Sequence, residues 1–182
     1  LNCCVARPNN EAPDSIKEVL PKESFVKIEK TIKLEFCNVD SKKLTKCKTR
    51  SIASSASGFV IKNDKTGSYI VTAAHVCDDS ELRTFLEKSE NVEVANKKFE
   101  IIDVDKIRYN FITLAYNKEI DVCTGYSYNM TKPPIKVAAS APSDGDIIYN
   151  LAAPLGLFDK DVIPIMHGHF IGITDNVALY SV

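Results

Sequence analysis

The 182-residue chain has no apolar run near the roughly 20 residues that a membrane-spanning helix needs. Its longest candidate, 163–173, is interrupted by Pro164, His167, Gly168 and His169. A basic surplus is also missing. A net charge of −1 and a pI of about 6.4 argue against a general nucleic-acid binder, whose surface carries positive charge. No CxxC pair and no Cys/His cluster with zinc-ligand spacing occurs, so neither a metal nor a cofactor is expected. Internal repeats, heptads and low-complexity tracts are absent. The chain opens on Leu1 rather than Met, so preceding residues are expected to have been removed. Cys3-Cys4 fits a lipobox poorly, because a lipid-bearing cysteine would be the first residue of a mature chain.

What remains is ordinary for a soluble globular protein: 45% hydrophobic and 26% charged residues. The length suffices for one large domain or two small ones. Six cysteines, at 3, 4, 37, 47, 77 and 123, favour an oxidising, extracytoplasmic or secreted location. Buried free thiols are the alternative reading.

Residues 1–14 are polar, with Pro8 and Pro13, and read as a tail. Asp14 caps an expected helical turn over 15–20, which Pro21 would end. Alternation of apolar and polar residues predicts half-buried strands at 25–30 and 32–36. The loop 37–47 is basic and begins and ends on cysteine. A Cys37–Cys47 disulfide across a hairpin base follows if the strands pair in register. Further strands are predicted at 59–61 and 69–72 around the turn-rich KNDKTGS, and at 92–94 and 99–104. The segments 111–116 and 120–123 are apolar. A helical turn is expected within 78–88. The stretch 127–146, rich in Pro, Ser and Asp, reads as a connector. Strands follow at 147–152 and at 162–173. Many short strands between turns predict an all-β barrel or sandwich.

An acyl-transfer site needs a nucleophile, a histidine to take its proton, and a buried carboxylate to fix the histidine tautomer. His75 stands where an apolar strand turns polar, in TAAHVCDDS (72–80). Taken alone, such a histidine is better read as a structural residue at a strand end.

The string GFVI (58–61), the hairpin loop after it and YIVTAAHVC (69–77) resemble the histidine region of trypsin-like serine peptidases. Among them it is most similar to the Do-like, high-temperature-requirement branch. The family carries its aspartate at the start of a later apolar stretch, and Asp121, 46 residues after His75, matches that position in IDVCTGY. Asp103 and Asp105 compete for the role. GDIIYNLAAPLGL (145–157) and GHFIGI (168–173) resemble the first hairpin of the family's second barrel.

The resemblance implies a two-barrel trypsin-like (chymotrypsin-like) fold. The first barrel would span 15–126, with a connector over 127–146 and an incomplete second barrel over 147–182. It implies peptide-bond hydrolysis of a protein or peptide substrate, with His75 as general base and Asp121 orienting it. Cys77 and Cys123 each follow a proposed catalytic residue by two positions. If His75 and Asp121 meet, these cysteines come close enough to bridge, two free thiols being the alternative. Cys3 and Cys4 are then left over.

No Gly-x-Ser-Gly turn is found. Ser181 lacks a neighbouring glycine, Ser127 follows the aspartate directly, and Ser54, Ser55 and Ser57 precede the histidine. The nucleophilic serine is therefore expected beyond residue 182. The alternatives are an inactive relative that uses the fold as an interaction module, and a cysteine at the missing turn. Assembly into a larger complex or virion has no support in these residues. His167 and His169 alternate on one strand with no third metal ligand. Asn129-Met130-Thr131 is a glycosylation sequon. The basic segment 42–50 reads as a solvated hairpin tip.

Overall fold

The computed structural model describes residues 3–6, 20–39, 45–158, 162–174 and 177–181. The helical turn expected over 15–20 lies outside them except for Leu20. The architecture is mostly β, in two antiparallel sheets. The larger sheet contains β2 (Phe25–Val39), β3 (Thr45–Asn63), β4 (Gly67–Thr72), β5 (Val92–Ile102), β6 (Arg108–Asn110), β7 (Ile112–Asn117) and β8 (Val122–Tyr128), in the order β6-β5-β2-β3-β4-β8-β7. The smaller has the order β1-β9-β10-β11, from β1 (Cys3–Ala6), β9 (Ile147–Leu151), β10 (Ile165–Thr174) and β11 (Val177–Tyr180). Two short helices, α1 (Ala74–Cys77) and α2 (Ser80–Glu87), follow β4.

Period-two alternation decides which side chains meet. Val26 and Ile28 on β2, Val60 on β3, Ile70 on β4 and Ile101 on β5 point to one face and form the inner core with Phe111 and Met130. Their neighbours Phe25, Phe59 and Ile102 point the other way and pack with Tyr149, Leu151 and Phe158. Phe25 meets Phe59 edge-on at 5.3 Å between ring centroids. This second cluster docks the smaller sheet on the larger one. Truncating Phe25 or Phe59 to alanine costs about 3–5 kcal/mol at such sites.

β6 and β7 are the outermost strands of the larger sheet, yet only Phe111 separates them. The Phe111 N–H donates to Phe99 O on β5 at 2.8 Å, while Ile112 already lies opposite Tyr126 on β8. Two Cα steps of about 3.8 Å each therefore join the two edges, and the sheet curls back on itself. Gly125 makes room for the corner. A Cβ there would sit 2.2 Å from the Phe111 ring.

Several boundaries differ from the sequence reading. The strands expected at 25–30 and 32–36 are one strand, because β-branched Thr31 continues the ladder opposite Ala53 and Lys98. Ser54–Gly58 lies inside β3, paired throughout with β2. Cys3–Ala6, within the expected tail, pairs with β9. The expected connector begins inside β8, buries Met130 completely and donates from the Ile135 N–H to Val60 O at 2.8 Å. Among the described residues, no helix is long and apolar enough to cross a membrane.

Candidate active site

The β4–β8 register places Thr72 opposite Cys123. That pairing brings together the residues just beyond each strand end. On one side, Ala73 and Ala74 are 1% exposed each, so their small side chains let α1 begin directly against the core. Thr72 Oγ1 anchors the turn by donating to Ser57 O at 2.8 Å. His75 follows, on α1. On the other side, Asp121 ends the turn after β7 with a left-handed φ of 48°. Few non-glycine residues adopt that conformation; aspartate is among the more tolerant.

The two side chains meet. His75 Nδ1 lies 3.0 Å from Asp121 Oδ2 and 3.1 Å from Oδ1, and the His75 backbone N–H donates to Oδ1 at 3.1 Å. The His75 side chain is 71% exposed and that of Asp121 51%, so the pair sits at the surface. Burial pushes the Asp121 carboxyl up, but the His75 backbone N–H and ring together outweigh it and hold the group below its ordinary value. An ionised Asp121 favours a proton on Nδ1. The Nε2 lone pair is then left as an acceptor.

Cys77 and Cys123 form a disulfide with Cα atoms 6.4 Å apart, with Cys123 fully buried and Cys77 nearly so. It joins α1 to β8 immediately beneath the His75–Asp121 contact. Cys37 and Cys47 are also bonded, directly opposite one another on β2 and β3. Cys3 and Cys4 lie on β1, opposite Leu151 and Asn150.

The other candidates are elsewhere. Asp103 is fully buried. Its Oδ1 accepts from the Asp105 and Ile107 N–H groups at 2.9 Å each, and its Oδ2 lies 3.3 Å from Lys132 Nζ. Asp105 also pairs with Lys132. These carboxylates close the turn after β5 rather than face His75. Ser181 Oγ accepts from the His169 N–H, and Ser57 Oγ from the Ala153 N–H. Among the described residues, the hydrogen bonds of the His75 ring run to Asp121. His167 and His169 are exposed on β10, the latter's Nδ1 3.0 Å from Gly145 O. Glu35, Cys37 and Cys47 cluster closely enough to suggest metal ligands, but both sulfurs are spent in the disulfide. Asn129 is exposed at the end of β8, with φ 61°.

Lys30 escaped the sequence reading. Its side chain is largely buried, donates to Val76 O at 3.1 Å and Asp78 O at 3.4 Å, and pairs with Asp79 at 2.6 Å. It ties the segment after His75 to β2. The available signal was phase, for Lys30 falls on the same side of the strand as Val26 and Ile28.

No protein-family model matches the chain, and no curated protein matches it.

Proposed function

We propose that the chain carries the base and the orienting acid of a trypsin-like serine peptidase. The observation that supports this reading is the doubly anchored contact of His75 with Asp121. The carboxylate holds both the imidazole and the backbone amide of the same residue, so ring position and tautomer are set together. In this reading the larger sheet is the first barrel, closed through the Phe111 corner, and the smaller sheet is part of a second.

His75 Nε2 takes the proton from the attacking hydroxyl as the tetrahedral intermediate forms. The resulting imidazolium is stabilised by ionised Asp121. The same proton then passes to the departing amine. A serine outside residues 1–182 supplies the hydroxyl, and the substrate is a protein or peptide. The two disulfides accord with an extracytoplasmic or secreted protein.

An inactive interaction module is the rival reading. A fluorophosphonate probe discriminates between the two. The longest native form should label on a serine outside 1–182, and His75→Ala should slow labelling about 10³-fold or more. The isolated 1–182 chain should neither label nor hydrolyse peptides. Labelling of the native form that is indifferent to His75→Ala contradicts the proposal, as does hydrolysis by 1–182 alone.

A further inference from the structure

β3 runs well beyond the curled sheet. On one side it is paired with β2 from Thr45 to Phe59 without a register shift. On the other side its pairing with β4 begins only at Phe59. Among the described residues, no backbone hydrogen bond reaches 45–56 from that outer side. Residues 47–55 are exposed throughout.

The direction of the free groups follows from two observations. Cys37 and Cys47 have Cα atoms 4.1 Å apart, the separation of a non-hydrogen-bonded antiparallel pair, near 4.5 Å. Cys47 therefore turns its N–H and C=O away from β2, as do Thr49, Ser51, Ala53 and Ser55 in the same phase. Farther along the same phase, Ser57 O accepts from Thr72 Oγ1, on the side where β4 lies. The alternate residues Lys48 and Arg50 bond to β2 through their backbones and project their side chains from one face. Neither has an ion-pair partner among the described residues; Arg50 lies over the Phe36 ring, 5.6 Å from its centroid.

We propose that this free edge of β3 is a docking site for an extended acidic segment of a protein partner, which adds as a further strand. Backbone pairing to Thr49, Ser51 and Ala53 would hold the segment. Carboxylates at alternate positions of the segment would oppose Lys48 and Arg50, at the close spacing of cross-strand neighbours. A second copy of the chain fits less well, because antiparallel self-pairing about this stretch sets cations against cations. The edge is independent of the proposed hydrolytic chemistry and does not need His75.

The test is fluorescence anisotropy with a fluorescein-labelled peptide that alternates glutamate with threonine. The glutamate peptide should bind about tenfold tighter than its glutamine analogue, from two cross-strand charge pairs, and should weaken with added salt. Lys48→Glu with Arg50→Glu should remove that preference. Ser51→Pro should abolish binding while circular dichroism stays unchanged, because it deletes an outward N–H and leaves the β2 ladder intact. His75→Ala should bind as the wild type does. Three results would overturn the proposal: no binding, equal binding of the glutamate and glutamine peptides, or undiminished binding by Ser51→Pro. With no binding at all, the lysine and arginine only guard the edge against strand addition.

Discussion

The two disulfides close different loops in different surroundings. Cys77–Cys123 spans 46 positions and lies in the core beneath the His75–Asp121 contact. Cys37–Cys47 spans 10 positions and braces an exposed ribbon. Chain entropy alone would assign them about 4 and about 3 kcal/mol. Their surroundings should separate them much further. Opening the first loosens α1 from β8 and hence the histidine from the aspartate. Opening the second releases a ribbon that folds onto β2 without carrying the core.

Removing the core bridge should have the largest effect. Cys77→Ser with Cys123→Ser should lower unfolding stability by about 4 kcal/mol, read by urea titration. Fluorophosphonate labelling of the native form should fall with it. A smaller effect is expected at Asp121. Its folded-state carboxyl titrates below the ordinary value because His75 favours the charged form. Its stabilisation is therefore present above the unfolded value and is lost as pH falls through the folded one. NMR titration should show the Asp121 midpoint rising toward the ordinary value without the Cys77–Cys123 bond, and unmoved without Cys37–Cys47. The smallest effect belongs to the ribbon. Cys37→Ser with Cys47→Ser should cost about 1 kcal/mol or less, because the ribbon opens locally. Hydrogen exchange should quicken in 31–39 and 45–54 and stay unchanged in β4 and β8. A global loss equal to that of the core bridge would erase the contrast.

The sequence carried these regions unequally. Alternation around Ile70 and the small alanines before His75 made the end of β4 readable, since both are local. The disulfide at the ribbon was readable because its cysteines bracket a hairpin. Only the fold separates Asp103 from His75, by placing it against Lys132 and two backbone amides. Cys3–Ala6 resembled a tail because a short edge strand gains its order from β9, a partner remote in sequence. Phe111 looked like the start of an apolar strand. Its work as a corner depends on Gly125, which no local pattern links to it.

The most direct test of the His75–Asp121 pairing is the protonation of the imidazole itself. Nitrogen-15 NMR of 1–182 should find that the neutral form of the His75 ring carries its proton on Nδ1 and leaves Nε2 bare, and Asp121→Asn should redistribute that proton. A ring that carries its proton on Nε2, or one whose tautomer ignores Asp121→Asn, would contradict the assignment of His75 as a base oriented by Asp121.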